Sequence, residues 1–198
     1  MEKKKKEFNL RREYKECWNY ICNSKNFIYI VIAIFFAFVL IGFFIPAPDY
    51  IVEQIMRFIE EILEKTEGLS QFQLVKFIFF NNLRSSFFGM SFGILFGIFP
   101  ILVTVINGYL LGFVSALSVS SEGILSLWRL LPHGIFELPA IFLSLGLGLR
   151  LGTFVFQQNK RKFFKENILK ILKVFLLVVI PLLIIAAIIE GILVAVTG

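Results

Sequence analysis

The chain has few of the side chains on which most enzymes and metal sites depend. Its 198 residues include one histidine and two cysteines. A zinc site takes about four ligands from cysteine, histidine and carboxylate side chains. His133 and one nearby carboxylate are too few ligands for such a site. The sequence therefore predicts no metal centre and no cofactor. His133 is also the only histidine that could act as a base for a nucleophile, so the sequence predicts a protein that is not an enzyme.

Charged residues make up only 17% of the chain, and long stretches carry none. Phe, Ile, Leu and Val dominate these stretches, which is typical of membrane proteins. Positive charge is concentrated in residues 1–25 and 160–173. Such clusters are typical of cytoplasmic membrane flanks, and without exposed aromatic or polar readers they do not indicate a nucleic-acid site. Cys17 and Cys22 lie in the first cluster, on the predicted reducing side, so we expect free thiols.

The apolar runs predict an all-α, polytopic bundle of about five transmembrane helices in a single membrane domain. The predicted spans are Phe27–Ile45, Phe77–Phe96, Ile98–Leu117, Pro139–Phe156 and Ile171–Val196. Each is close to the roughly 20 residues that cross a bilayer. The first run exceeds the roughly 7–15 residues of a signal-peptide core, so we expect it to be retained. Residues 1–26 are expected to form a cytoplasmic interfacial segment, and residues 77–156 form the predicted central bundle.

The stretch Asp49–Glu67 predicts an amphipathic helix outside the membrane. Its apolar residues recur at helical spacing, and its glutamates face away from them. Asp49 and Gly68 are the expected N-cap and C-cap. Five spans place this lysine-poor stretch outside and both basic clusters inside, as the positive-inside rule requires. We therefore expect a multi-pass protein of the cell membrane with a cytoplasmic N-terminus and an extracytoplasmic C-terminus.

Small residues repeat every four positions in four successive predicted spans. Such stripes let transmembrane helices approach closely. The central part of the set is Gly89, Gly93, Gly97, Gly108, Gly112, Ser144, Gly148 and Gly152. The stripes predict either a compact bundle or self-association into a homo-oligomer. The first span has no glycine before Gly42, so we expect it to lie at the periphery and face lipid.

Eight polar or charged residues lie within or beside the predicted spans, where burial is costly. They are Asn81, Asn82, Arg84, Asn107, His133, Glu137, Arg150 and Glu190. Most fall in one layer toward the outer face, where Arg84 would pair with Glu137 or Glu190. We expect the asparagines to bridge helices and Arg150 to extend toward the inner surface. The layer serves either as hydrogen-bonded packing or as an ion or proton path.

The segment Pro132–Pro139 is expected to be re-entrant or kinked. Pro139 removes a helix donor and disfavours helical geometry at Leu138. We therefore expect the fourth span to begin at Pro139, with Glu137 close to the positive end of that helix dipole. Irregular backbone at this depth requires burial in protein or a water-filled cavity.

The nine residues Pro132-His133-Gly134-Ile135-Phe136-Glu137-Leu138-Pro139-Ala140 resemble the core motif of the stage II sporulation protein M family. Asn81-Asn82, Gly93–Pro100 and residues 107–112 resemble that family's central region. The resemblance implies a multi-pass membrane protein. In endospore-forming bacteria the name-giving member acts as a membrane scaffold for a peptidoglycan-degrading complex. The wider family extends to organisms that make no spores, so the resemblance does not imply sporulation.

Two functions remain open on the sequence alone. The first is a non-enzymatic membrane scaffold, held in the lipid bilayer and self-associating, that contacts partner proteins through Asp49–Glu67. The second is a channel or transporter that uses Arg84, His133, Glu137 and Glu190. No pair of broken helices occurs in matching halves of the chain, so an inverted-repeat transporter is not indicated.

Overall fold

A computed structural model describes residues 9–197, without the side chains of residues 129–133 and 194–197. The α-helices are α1 Leu10–Asn23, α2 Lys25–Phe44, α3 Asp49–Thr66, α4 Gln71–Ser91, α5 Ile98–Glu122, α6 Leu131–Gly152, α7 Lys160–Val174 and α8 Ile180–Thr197. Short 3-10 helices cover Phe92–Ile94, Ile124–Leu130 and Thr153–Phe156, and a π-helical turn covers Phe175–Val179. The described residues contain no strand, so the all-α prediction is confirmed.

Helix α6, which carries the proline-rich signature, lies at the centre of the bundle. It packs against α2, α4, α5 and α8. Half of its apolar window is buried, the largest share among the helices that could cross a membrane. Ala140, Ser144 and Leu147 are fully buried. The signature therefore lies on the helix that most of the other helices contact.

Five helical segments traverse the bundle in alternating directions: α2, α4, α5, α6, and α7 with α8. The contacts that define these directions are Ile28–Gly146, Phe35–Phe142, Asn82–Glu137, Gly93–Gly148, Phe35–Gly108, Val39–Gly112, Val75–Gly191 and Phe87–Phe175. The basic residues of α1 and α7 lie at one end of the bundle, because these two helices pack against each other. We call this the Arg150 end and the opposite one the Glu137 end.

Four of the described helices are long and apolar enough to cross a membrane: Lys25–Phe44, Ile98–Glu122, Gly134–Phe156 and Lys160–Leu193. They support the predicted membrane class. Helix α4 is not among them, although its 21 residues match the length of a span. Lys76, Asn81, Asn82 and Arg84 lower its hydropathy. The count of five spans therefore stays a prediction.

The first apolar helix lies at the edge of the bundle and packs on α5. Only 22% of the α2 window is buried, the lowest share of the four, so the helix does lie at the edge of the bundle. Its inner face nevertheless packs closely on α5, where a side chain at Gly108 would lie 2.5 Å from the Phe35 carbonyl oxygen. The helix is therefore consistent with the predicted peripheral position, and Gly42 of α2 together with Gly108 of α5 allows its inner face to approach α5 closely.

The backbone of the signature is helical. Residues 131–152 form one α-helix, with Pro139 inside it. The expectation that the helix begins at Pro139 is therefore wrong. Proline disfavours the helix interior through a missing donor and a clash with the carbonyl four residues earlier. Packing of α6 on four neighbours outweighs this local preference and leaves the Ile135 carbonyl without its usual backbone donor.

The basic stretch after the fourth span is also helical rather than a loop. Helix α7 begins after Asn159, whose side chain accepts a hydrogen bond from the Lys162 N–H at 3.1 Å. The chain then stays helical through the π turn at Phe175–Val179 and into α8. The π turn comes just before Pro181, which lacks the backbone donor of a regular helix.

The turn between α4 and α5 lies where the sequence predicts a break. Phe96 and Gly97 both have left-handed backbone conformations, with φ of 57° and 72°. Glycine adopts this conformation without strain, whereas a bulky residue such as phenylalanine does so at a cost. Gly97 then caps α5, which begins at Ile98.

Helix α3 stands apart from the other helices. None of its residues is buried. It begins at Asp49 with Pro48 as its N-cap, so the capping position lies one residue before the predicted one. It ends at Thr66, and Gly68 follows in the left-handed conformation that is common after a helix. The helix is thus a separate amphipathic element beside the Glu137 end of α4.

Candidate functional site

The bundle holds buried polar side chains at two levels. Glu137 and Arg150 both lie on α6 and are separated by thirteen residues, or about 20 Å at 1.5 Å per residue. Glu137 pairs with α4, and Arg150 pairs with residues of α1 and α2. These two clusters are the candidate sites.

Glu137 is the most buried carboxylate of the described chain, with 3% of its surface exposed. Its Oε2 accepts a hydrogen bond of 2.7 Å from Nδ2 of Asn82 on α4. Hydrogen bonds to an ionised carboxylate are stronger than neutral ones, and a buried polar group without a partner is costly. This bond therefore joins α4 to the central helix and also satisfies the carboxylate.

The structure separates Arg84 from the polar layer in which we expected it. Arg84 is exposed, and among the described residues it forms no ion pair with Glu137 or Glu190. It comes two positions after Asn82, and residues two apart lie on different faces of a helix. Glu190 is half-buried on α8. The side chain of His133 lies outside the described part of the structure.

The asparagines take three different roles. Asn82 bridges two helices, as expected. Asn107 instead donates to the Val103 carbonyl oxygen within α5, at 2.9 Å, and Asn81 is exposed. Ser86, one turn after Asn82, has a buried hydroxyl with no hydrogen-bond partner among the described residues. The buried polar face of α4 is therefore Asn82 and Ser86.

Arg150 lies in a polar cluster that sequence reasoning missed. Its guanidinium stacks over the Tyr20 ring at 4.5 Å and donates to the Ser24 hydroxyl at 2.6 Å. The Tyr20 hydroxyl donates to Oδ1 of Asn167 on α7 at 2.7 Å. The cluster thus joins α1, α6, α7 and the junction between α1 and α2. Arg150 is held by protein groups instead of extending toward the membrane surface.

Electrostatic effects at this end hold α1 in place. Burial raises the pKa of Tyr20 to about 12, although the Arg150 charge opposes the shift. Tyr20 therefore stays a hydrogen-bond donor over the physiological range. The Lys173 ammonium forms ion pairs with Glu13 and Glu16 of α1. The hydrogen bond from Lys173 lowers the pKa of Glu13.

Several of the predicted small residues lie where two backbones approach. A side-chain carbon at Gly148 would lie 2.8 Å from the Met90 carbonyl oxygen, and one at Gly152 would lie 2.6 Å from the Gly93 carbonyl oxygen. Gly112 faces the Val39 carbonyl on the other side of the bundle. Ser144 is fully buried and donates to the Ala140 carbonyl oxygen of its own helix.

The described residues contain no group of three or more histidine, cysteine, aspartate or glutamate side chains that could hold a metal. Both cysteines are free: Cys17 is buried and Cys22 is exposed.

The segment Gly89-Met90-Ser91-Phe92-Gly93 fits the letters of the hydrolase pattern G-x-S-x-G. That pattern requires a strand-to-helix turn, whereas Ser91 ends α4. Ser91 lies beside the part of α6 that precedes Gly148. Along the helix axis, that part is about 20 Å from the backbone of His133.

Most of this chain matches the sequence profile of a known protein family. The sequence profile described as Stage II sporulation protein M matches residues 31–194. The chain belongs to this family. The resemblance stated from the nine-residue motif is thereby confirmed. The match includes Asn82, Glu137 and Arg150 but begins after Tyr20 and Ser24, so half of the Arg150 cluster lies outside the family region.

One curated relative of this stage II sporulation protein M family member is an uncharacterized protein of Methanocaldococcus jannaschii. It is 30% identical over 116 residues, which cover 56% of this chain and 65% of the relative. The matched part thus spans just under two thirds of the relative's length. No solved structure matches the chain.

Proposed function

We propose that this protein is a non-enzymatic membrane scaffold that organises partner proteins through α3. The observation that carries the proposal is the isolation of this helix, which has an apolar face and no buried residue. An amphipathic helix buries its apolar face either in a membrane surface or in a groove of another protein. Family membership is consistent with a scaffold but does not identify the partner.

The charge of α3 favours a protein partner over the bilayer surface. Asp49–Thr66 contains five acidic and two basic residues, for a net charge of −3. Helices that lie in the membrane interface are typically rich in lysine and arginine, because bilayer surfaces are often anionic. An acidic helix is repelled by such a surface, so we propose a partner with an apolar groove and a basic rim.

The proposal includes an orientation for the bundle. The basic residues of α1 and α7 share the Arg150 end, and the positive-inside rule assigns such an end to the cytoplasm. Helix α3 and the C-terminus would then lie on the extracytoplasmic side. Cysteine substitutions at Arg57 and Lys165, labelled with an impermeant reagent, test this orientation. Labelling of the Lys165 site in intact cells would contradict it.

We also propose that the scaffold is a homo-oligomer in the membrane. The close glycine contacts between α4 and α6 are used inside one chain, so self-association needs another surface. The outer face of α4 away from Phe80 is a candidate, because it exposes Phe87 and Phe88. A crosslink between cysteines placed at Phe88 of two copies would support this arrangement, and a strictly monomeric protein in nanodiscs would contradict it.

The partner proposal is tested by photo-crosslinking in native membranes. A photoreactive residue at Phe58, which is 48% exposed on α3, should capture a distinct set of proteins for mass spectrometry. Ile59→Glu should abolish that capture, because it charges the apolar face. Glu60→Gln, on the neighbouring polar face, is the matched control. Equal capture by both variants would refute the role of α3.

A second candidate function is favoured by one observation, the buried hydrogen bond between Glu137 and Asn82. Carboxylates at membrane depth often mark ion or proton paths. A channel or transporter of this kind predicts that Glu137→Gln changes flux in proteoliposomes while the protein stays folded. Absence of ion and proton flux in the unsubstituted protein would end this alternative.

A further inference from the structure

A groove beside α3 and α4 contains an unusual concentration of positive charge. Its volume is about 420 Å³, and its lining includes Lys65 from the last turn of α3 and Lys76, Asn81 and Arg84 from α4. No acidic side chain lines it. Three cations from two helices therefore face one cavity on the outer surface of the bundle.

These cations are largely available to a ligand. Lys65 forms an exposed ion pair with Glu61 at 3.4 Å, a geometry that contributes little stability in water. Neither Lys76 nor Arg84 forms an ion pair or a side-chain hydrogen bond within the described part of the chain. The Asn81 amide is exposed beside them. The groove thus offers cationic and amide donors, and the one carboxylate paired with them, Glu61, lies outside its lining.

The position of Arg84 along α4 lies near the boundary between the apolar core of the bilayer and its headgroups. Phe35 packs on Phe142, and α2 and α6 are antiparallel, so Glu137 lies level with residue 40. That level is about 6 Å from the end of the apolar helix α2 at residue 44. Asn82 shares it through its hydrogen bond, and Arg84 begins about 3 Å deeper.

An arginine at this depth can reach the headgroup region. Side chains on a helix lean toward its N-terminus, and the N-terminus of α4 lies at the Glu137 end. Long cationic side chains extend along apolar surface to place their charge at the interface. The Arg84 guanidinium therefore approaches the level of Lys76, which explains why both line one groove.

The remaining lining is aromatic. Phe77 is half-buried, and Phe80 has 52% of its surface exposed. A small soluble anion would gain nothing from these rings, whereas a hydrocarbon chain would cover them. The combination of cations and phenylalanine rings in one groove matches a molecule with a phosphate head and an apolar tail.

We propose that this groove binds one anionic phospholipid, with its headgroup phosphate among Lys65, Lys76 and Arg84 and an acyl chain on Phe77 and Phe80. The bound lipid pairs with the Arg84 charge, which has no ionic partner among the described residues. The groove shares Lys65 with α3, but Phe58 and Ile59, which test the proposed contact with partner proteins, do not line it. Lipid binding can therefore be tested, and can fail, separately from the scaffold proposal.

The test is a titration of the full-length protein in detergent with phosphatidylglycerol, followed by native mass spectrometry. Removing one cation by Lys76→Gln or Arg84→Gln should weaken binding about fivefold, and removing both should weaken it on the order of 25-fold. Arg57→Gln is the matched control, because Arg57 lies on α3 outside the groove. It should stay within about twofold of the unsubstituted protein, since its loss removes no groove cation.

Additional variants separate a lost site from a lost fold. Arg84→Lys keeps the charge and should keep binding within about twofold, while gel filtration and circular dichroism report whether each variant is folded. Equal binding by the double variant and Arg57→Gln would overturn the proposal. Glycerophosphate that competes as well as the whole lipid would overturn it in favour of a soluble anion. A dimer that Arg84→Gln disrupts, with no bound phosphatidylglycerol, would identify a second copy as the occupant instead.

Discussion

Two glycines on α6 provide a direct test of how closely this bundle is packed. A side-chain carbon at Gly148 would lie 2.8 Å from the Met90 carbonyl oxygen, 2.9 Å from its Cα and 3.0 Å from the Gly89 carbonyl oxygen. All three are backbone atoms of α4 and cannot rotate away. At Gly134 on the same helix, the nearest atom among the described residues is the Leu138 Cδ1, at 3.7 Å. Alanine fits there without displacement.

The two substitutions should therefore have opposite effects. Alanine stabilises a helix interior by up to about 1 kcal/mol relative to glycine, and this gain is shared by Gly148→Ala and Gly134→Ala. Gly148→Ala also forces α4 away from α6, and overpacking of this kind costs about 1–3 kcal/mol. The difference between the variants isolates the steric cost. We expect Gly134→Ala to unfold later than the unsubstituted protein and Gly148→Ala to unfold earlier.

Unfolding in detergent, followed by circular dichroism, measures this difference. Both variants must first show the same helical content as the unsubstituted protein. Stabilities of Gly148→Ala and Gly134→Ala that agree to within about 0.5 kcal/mol, below the expected overpacking cost, would refute the reasoning. The α4–α6 interface would then be looser than the structure shows, and its glycines would not be required for close approach.

Three further predictions concern the polar clusters. Asn82→Leu should lower the free energy of unfolding by about 1.5–3 kcal/mol, because it removes a donor from a buried carboxylate; the loss should shrink in a Glu137→Gln background, and an equal loss there would contradict a direct bond. Tyr20→Phe should cost about 0.5–1.5 kcal/mol through its lost hydrogen bond, and unchanged hydrogen exchange in α1 would contradict this. The α1–α7 contact should persist at neutral pH and weaken only as the pH falls below 4.5, the usual pKa of Glu13, because its folded pKa is lowered. Exchange of α1 amides against pH measures this, and weakening between pH 6 and 8 would contradict it.

Much of the architecture follows from composition and periodicity. Charge-free runs of about 20 residues predict membrane-spanning helices. In the bilayer core, the backbone N–H and C=O groups must form hydrogen bonds within the protein, and a helix forms them within one segment. The break at Gly97 follows from its conformational freedom. The amphipathic α3 follows from helical spacing of its apolar residues. These signals are local, so sequence reasoning identifies them.

The candidate sites depend on which face of each helix turns inward, and local signals do not specify that. Asn82 and Arg84 are two residues apart and equally polar, yet α4 turns Asn82 toward Glu137 and leaves Arg84 exposed. The helical break predicted at Pro139 failed for a related reason. Packing on four neighbouring helices stabilises α6 by more than one proline disfavours it.

The sequence by itself determined the all-α membrane class, the family and the existence of the apolar helices, because these depend on hydropathy and on a short motif. Only the tertiary structure decided that Tyr20, Arg150 and Asn167 form one cluster, since well over a hundred residues separate Tyr20 from its two partners. It also decided that Arg84 faces a groove instead of a carboxylate. Such contacts arise from the rotation and register of packed helices, and many side chains set these together.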